Sequence, residues 1–441
     1  MERYDVAIVG GATAGAYFAL KMAKKGYSVK IIEKLSPEKL GTRMDIFHVS
    51  QTDLKTFDIP TVHKGDSEWA FEFTENHFSS PSNRYSVYTK SEIVGLHMHE
   101  YIALMVKRAV DAGAKIEYGA EFREFIFTDG AISGIRYETA DGIKEVGART
   151  VVDCSGSGAA ARRALPNGYG IENFILTDED MFYVVLRYVK FPKEPINTFW
   201  LNTKSWVAPF STNPCEKIIG TGSTGSYDRA FSEAARLDAS ADFGEIESVR
   251  TEKGTTPYRR PPYSLVADNF IVTGDAACLT KPDCGEGVTS AMVMMDITAE
   301  TLDHALRNND TSKKALWEIN RKYNRRQGAE FSLVRAFMTK LVNCASDDDL
   351  EYCFKNGIIF NEKFLNNGNI GPADIIKTVI DVIKGVSKKN ISSKTIASVL
   401  EGASLGIALM THYNSFPEKI EGYEKWCRIS DKLWKKVGRI K

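Results

Sequence analysis

The sequence predicts an α/β fold in three parts: a doubly wound sheet, an antiparallel β-sheet inserted into it, and a C-terminal helical region. Three observations predict it. The first 34 residues read strand, glycine turn, helix, strand; residues 179 to 255 break into short apolar runs separated by Pro, Asn and Gly; and from about residue 288 onward apolar residues recur with helical spacing.

In chain order, "DVAIVG" is an apolar strand, "GATAG" a small-residue turn, "AYFALKMAKKG" an Ala-rich helix stopped by Gly26, and "SVKIIEK" a second strand. Residues 87 to 118 predict a strand around "SVYT" and then a long helix stopped by Gly113. The stretch from "EFIFTDG" to "VVDCSG" alternates apolar and polar residues, with turns at Asp129-Gly130 and Asp141-Gly142, as a β-meander does. "MFYVVLRYVKF", "NTFWLN", "SWVAPF" and "EKIIGTGSTG" are the strands of the antiparallel part. Helices follow, including "KKALWEINRKYNRRQGAEFSLVRAFMTKLV", with "KKNISSKT" (388 to 395) as a polar loop; no repeat or low-complexity linker interrupts them.

With 441 residues and 57 basic against 57 acidic side chains, the chain has the size of two or three domains and no basic excess for binding nucleic acid. Its seven cysteines include no C-x-x-C pair, which argues against a disulfide framework or a zinc site and for reduced cytoplasmic thiols. The start "MERYDVAIVGG" runs straight into a strand without a charged leader and apolar core. No run approaches the roughly 18 apolar residues of a spanning helix.

Two motifs carry chemistry. In "GGATAG", Gly10 makes the tight turn, Gly11, Ala12 and Ala14 are small enough for backbone to approach a pyrophosphate, and Gly15 lets helix pack on strand; Glu33 at the end of the second strand can accept from ribose hydroxyls. Ala12 stands where the usual pattern has its second glycine, and the alternative is a plain β-α-β turn. The second is "GDAACLTKPDCGEG" (274 to 287), between the apolar run "NFIVT" and a helix. Asp275 can accept from ribityl hydroxyls, while Gly274, Pro282, Gly285, Gly287 and Val288 shape a turn whose amides, at a helix start, face a flavin's pyrimidine edge. An Asp N-cap is the alternative, disfavoured because twelve residues separate Asp275 from Gly287. Between them, "VVDCSGSGAAARRAL" (151 to 165) is a strand entering a small-residue turn, a structural crossing beside the cofactor.

These three elements, in this order over residues 1 to about 305, resemble the FAD enzymes of the para-hydroxybenzoate hydroxylase type, and within them the geranylgeranyl reductase group, where a "P..GEG" turn is usual. The resemblance implies a Rossmann-like FAD-binding domain built from 1–58, 86–178 and 256–310, an antiparallel substrate-binding domain from 59–85 and 179–255, and a helical region over 311–441. It implies non-covalent FAD, reduction of a carbon–carbon double bond in an isoprenoid or other hydrophobic substrate, and NAD(P)H, ferredoxin or flavodoxin as electron donor. The group's "Y-x-W-x-F-P" element matches "KSWVAPF" at Trp206 and Pro209, which become substrate-binding candidates, while Lys204 and Ala208 replace aromatics. Where the family has an Asp-Arg pair near FAD, this chain has His97 and Met98; a cysteine usual in the reductases is missing from "GTRMDIFHVSQ", where Arg43 is the replacement positive charge. Cys278 and Cys284 are the thiols nearest the flavin on this reading.

For catalysis, His97, His99 and Glu286 are the proton-donor candidates, against ordinary helix-face and turn roles. The tail "EKWCRISDKLWKKVGRIK" places Trp426, Ile429, Leu433, Val437 and Ile440 at helical spacing beside basic residues, a pattern for peripheral contact with an anionic membrane or for a terminal helix packed on the protein. Two other functions fit the same scaffold: an aromatic hydroxylase or halogenase using oxygen, and a non-enzymatic flavin module for electron transfer or sensing.

Overall fold

The computed structural model describes residues 1–57, 59, 62–241, 243–358, 372–387 and 391–438. The chain opens with β1 (Glu2–Val9), α1 (Thr13–Lys24) and β2 (Val29–Glu33), then β3 (Ile46–Ser50), α2 (Gln51–Thr56), β4 (Trp69–Ser79) and β5 (Ser86–His97). Next come α3 (Met98–Asp111), β6 (Lys115–Tyr118), the meander β7 (Glu121–Thr128), β8 (Ala131–Thr139) and β9 (Gly142–Asp153), and the short α4 (Ala160–Arg163). The inserted part contains β10 (Met181–Lys190), β11 (Thr198–Trp200), β12 (Ser205–Pro209), β13 (Glu216–Thr224), α5 (Tyr227–Ser240) and β14 (Glu247–Pro257). β15 (Val266–Ala267) and β16 (Phe270–Val272) lead to α6 (Val288–Arg307), α7 (Trp317–Tyr323), α8 (Ala329–Cys344), α9 (Asp347–Lys355), α10 (Pro372–Ser387), α11 (Ser393–Asn414) and α12 (Tyr423–Val437).

Two eight-stranded sheets organise these elements. The first runs β15-β16-β9-β1-β2-β6, with β7 and β8 continuing from β9. β1 is parallel to both β2 and β9, and Val6, Ala7, Ile8, Val29 and Ile31 are fully buried. Strands covered on both faces need such unbroken apolar runs. Gly26 (φ +86°) ends α1, donating its N–H to Ala23, and Asp129 and Gly130 both take positive φ, as a two-residue hairpin turn demands.

The second sheet runs β14-β10-β13-β12-β11-β4-β5-β3, antiparallel throughout except for the β11–β4 pair. Three features differ from the sequence reading. α5 interrupts what reads as all strand: Ser226 caps it by accepting from the Arg229 N–H, and Ala230, Ala234 and Leu237 are its buried face. β5 runs past "SVYT" to His97, leaving α3 to begin at Met98. β3 and β5 hydrogen-bond in the second sheet, so the stretches 1–58 and 86–178 supply strands to both sheets.

The C-terminal helices close one side of the molecule. Trp426 is buried, its ring stacked on His412 at 4.7 Å, and Trp434 donates its indole N–H to the Tyr413 hydroxyl. The tryptophan face of the last helix is therefore turned into the protein, and of the apolar positions read from the tail Ile429 is the exposed one, at 40%. Ile440 and residues 388–390 of the polar loop lie outside the described residues. No described helix is long and apolar enough to cross a membrane.

Candidate functional site

The first cradle lies where β1 meets α1. Gly10 has φ +102°, and a Cβ there would run into the Cys154 carbonyl; one on Gly15 would run into the Gly10 carbonyl. Both neighbours are backbone, so these positions admit no side chain. Gly11 donates its N–H to Glu33 Oε2 at 2.7 Å, and Leu35 donates to Oε1 at 2.8 Å. Glu33 is 5% exposed, and each carboxylate oxygen accepts more than one hydrogen bond, so it braces the turn and still has lone pairs for ribose hydroxyls. α1 has Ala12 as its N-cap residue, with no side-chain cap and no acid in its first turn. Its N-terminal amides and positive dipole end are thus free of a competing anion, as a pyrophosphate needs.

The middle and late motifs close on this cradle. Cys154 and Ser155 pack against Gly10, and a Cβ on Gly274 would sit 3.5 Å from that of Ala14. Asp153, fully buried, accepts from the Ser155 N–H (2.9 Å) and hydroxyl (2.6 Å) and from the Arg162 N–H (2.6 Å); burial still raises its pKa. All three sequence motifs thus meet at one place.

Beyond Gly274 the chain makes one tight turn through Ala277, takes a left-handed step at Cys278 (φ +57°) and another at Gly285 (φ +74°), and enters α6 at Gly287, with the preceding Glu286 accepting from the Thr289 N–H. The loop folds back on itself: a Cβ on Gly287 would lie 3.3 Å from Asp275 Oδ1. Asp275 accepts from the Thr280 hydroxyl at 3.2 Å, and burial pushes its pKa up to about 6. A half-buried carboxylate with the Thr280 hydroxyl as donor and a raised pKa has room for further donors, which ribityl hydroxyls would supply. Together with the glycine cradle and Glu33, this donor set fits FAD.

Facing the turn is one side of the second sheet. Thr256 of β14 shares a hydrogen bond with Thr280 at 3.1 Å, and Tyr258 donates to the Pro282 carbonyl at 3.2 Å. On that side four glycines lie bare under large side chains: Gly220 under Trp206, Gly222 under Phe182, Gly95 under Phe71 and Gly254 under Met44. Pairing of Trp206 with Gly220 and Phe199, and of Phe199 with Phe78, makes the face continuous across β13, β12, β11 and β4. His48 stands within it, its Nε2 3.3 Å from the Pro209 carbonyl and its pKa lowered by burial.

The structure gathers Gly10, Gly11, Ala12, Ala14, Gly15, Glu33, Gly274 and Asp275 into one cradle, continued by Pro282, Gly285, Gly287 and Val288. Trp206 and Pro209 belong to the facing sheet. The remaining candidates have these partners. Arg43 is exposed and reaches the Tyr227 and Thr255 hydroxyls at 3.4 and 3.3 Å. His97 precedes Met98, the first residue of α3, and binds Asp45 at 2.8 Å; His99 binds the Leu40 carbonyl at 2.7 Å. Both histidines line a cleft of about 490 Å³ with Gly41, Asp45 and Glu100. Glu286 accepts from the Thr289 N–H and hydroxyl and pairs with Lys281 at 3.1 Å, a helix-capping role. Cys278 is buried, its thiol pushed up to about 12 by that burial, and Cys284 is exposed. The sequence reading missed Thr256, Thr280, His48 and Arg162; only the glycine spacing of "IIGTGSTG" hinted at the glycine floor.

A family model described as FAD dependent oxidoreductase matches residues 5–181. The chain is 25% identical to a digeranylgeranylglycerophospholipid reductase of Sulfolobus acidocaldarius, over 98% of this chain and 97% of that one. A geranylgeranyl bacteriochlorophyll reductase-like protein of Thermoplasma acidophilum shares the fold with a TM-score of 0.70 at 18% identity, covering 98% of this chain and 100% of that one. The myxobacterial chondrochloren halogenase, an FAD-dependent halogenase, does so with a TM-score of 0.65 at 15% identity, covering 93% and 98%. The chain is an FAD-dependent oxidoreductase similar to the geranylgeranyl reductases.

Proposed function

We propose that the protein reduces carbon–carbon double bonds of an isoprenoid-type, largely apolar substrate. The observation that carries this is the aromatic sheet face opposite the 274–287 turn: Trp206, Phe182 and Phe71 lie flat on Gly220, Gly222 and Gly95, and their outer surfaces offer apolar contact to a thin unsaturated chain. The name borne by the Sulfolobus relative supports the same substrate class.

When bound and reduced, FAD would supply the hydride that adds to one carbon of the double bond, and a pocket acid or water would supply the proton that the other carbon takes up. The protein's own share is placement. The cradle of Gly10, Gly15 and the α1 N-terminus holds the pyrophosphate, Glu33 the adenosine ribose and Asp275 the ribityl chain. The start of α6 at Gly287 would present its amides and positive dipole end to the flavin edge that becomes negative on reduction. The aromatic face excludes water from the double bond and fixes its distance. Glu286, already committed to Thr289 and Lys281, caps α6 rather than donating the proton. NAD(P)H, ferredoxin or flavodoxin supplies the electrons.

Incubating the chemically reduced protein under nitrogen with a geranylgeranyl lipid tests this by mass spectrometry. Gain of two hydrogens per double bond is expected. Unchanged lipid under nitrogen, with gain of one oxygen atom in an aromatic substrate under air, would replace the reductase with the hydroxylase.

A further inference from the structure

α10 turns apolar residues in two directions. On its inner side Val379 packs on a buried cluster with Leu333, Phe337 and Leu341 of α8. Ile376, Ile380 and Ile383, spaced so that they share one face of a helix, are instead 50%, 46% and 47% exposed. Every other described helix leaves at most one large apolar side chain exposed.

Charge edges this stripe. Lys377 and Lys384 directly follow Ile376 and Ile383 and are exposed, Lys384 also pairing with Asp381 at 3.0 Å. Residues 372–395 hold five lysines against two aspartates, a net charge of +3. An apolar stripe bordered by lysines suits a helix lying in the interface of an anionic bilayer, where the isoleucines enter the acyl boundary and the lysines reach back to phosphates. A second copy of the chain fits less well: three half-exposed side chains fall far short of the about 800 Å² that a stable interface takes from each partner. The terminal helix α12 lacks such a stripe, because Trp426 and Trp434 turn inward and Ile429 is its one exposed large apolar residue.

The inner side of α10 leads to the aromatic sheet face. Phe78 and Phe199, 5.4 Å apart between ring centroids, pack on the same cluster as Val379, and Phe199 pairs with Trp206. We propose that α10 is a membrane-docking helix, whose Ile376, Ile380 and Ile383 enter an anionic lipid surface and hold the β11–β4 end of the aromatic face beside it. Docking stands on α10 alone; that the bilayer delivers the substrate rests on the lipid-reductase reading.

The FAD-loaded full chain is sedimented with sucrose-filled vesicles of phosphatidylglycerol and, separately, of phosphatidylcholine. The native sequence is expected to bind the anionic vesicles about tenfold more tightly than the neutral ones. It should also bind them about tenfold more tightly than Ile376→Ser/Ile380→Ser/Ile383→Ser, which alters only exposed side chains. No binding to anionic vesicles, no preference for them, or equal binding by the variant overturns the proposal. Hydrogen exchange on the native sequence needs no variant: anionic vesicles should slow amides within 372–387, and slowing confined to α12 or elsewhere overturns the assignment. A dimer that the variant dissolves, with no vesicle binding, gives the stripe to a second copy and overturns it too. Delivery is read separately. The variant should lose about tenfold in rate on a geranylgeranyl lipid held in vesicles and keep its rate on a short prenyl alcohol in solution; an equal loss on both removes delivery. A chain that docks but reduces neither substrate leaves docking standing without the reductase reading, so the two claims fail separately.

Discussion

The cradle around Gly10 and the face around Trp206 are both floored with glycine, for different reasons. At Gly10 and Gly15 the space a Cβ would need is held by backbone carbonyls; at Gly220, Gly222, Gly95 and Gly254 it is held by side chains of Trp206, Phe182, Phe71 and Met44. A carbonyl inside a β-α-β unit cannot move without the fold moving, whereas an indole or a thioether can swing away. The glycine cradle is therefore rigid, and the facing sheet is adjustable. The chain shares its fold with both a reductase-like protein and a halogenase.

The largest effect separating the two ends is expected from Gly15→Ala. Its methyl would overlap the Gly10 carbonyl, and we expect a loss of about 3 kcal/mol in urea unfolding together with loss of bound FAD. A variant that retains FAD with an unchanged urea midpoint would show the cradle to be as adjustable as the sheet.

Next in size is the pH response of Asp275. Its carboxyl titrates near 6 in the folded protein because of burial, above the usual carboxylate value, so the folded state holds a proton that the unfolded state has released between about pH 4 and 6. Stability of the FAD-free protein should fall as pH rises through that window, by an amount on the order of 2 kcal/mol, and Asp275→Asn should flatten the curve. FAD, by adding donors to the carboxylate, should bind more weakly as pH drops below 6. A pH-independent stability for the FAD-free protein would remove Asp275 from this account.

Gly220→Ala should cost about 1–2 kcal/mol, leave FAD content unchanged and alter KM for the substrate, because Trp206 must shift. If it strips FAD instead, the two ends are not independent. The smallest effect is assigned to Gly26→Ala, about 1 kcal/mol: its φ is +86° but no atom lies within 4 Å of the added Cβ, so calorimetry should register backbone strain alone.

The same contrast decides what could be read from the sequence. The β-α-β unit, Glu33 and the turn at 274 are contiguous, and their chemistry depends on residues a few positions apart; Gly26 and Asp129-Gly130 declare their turns locally. Even there the distance along the chain misled in one respect: the turn's left-handed steps at Cys278 and Gly285 bring Gly287 back to Asp275, so twelve residues of separation did not keep them apart. The facing sheet is assembled from β3, β4, β5 and β10 to β14, whose register no local pattern specifies. Its glycine floor appears only once Gly220 is paired with Trp206. α5 was legible in principle, from Ser226 as cap and Ala230, Ala234 and Leu237 on one face, but was masked by the strands on either side.

The most direct test of the central claim is the flavin's own colour. The protein is reduced anaerobically, a geranylgeranyl lipid is added, and the flavin absorbance is followed before air is admitted. Return of the oxidised spectrum under nitrogen, with one double bond reduced for each reduced flavin reoxidised, is the predicted result. A spectrum that stays bleached with every unsaturated lipid tried and returns only with oxygen would contradict it.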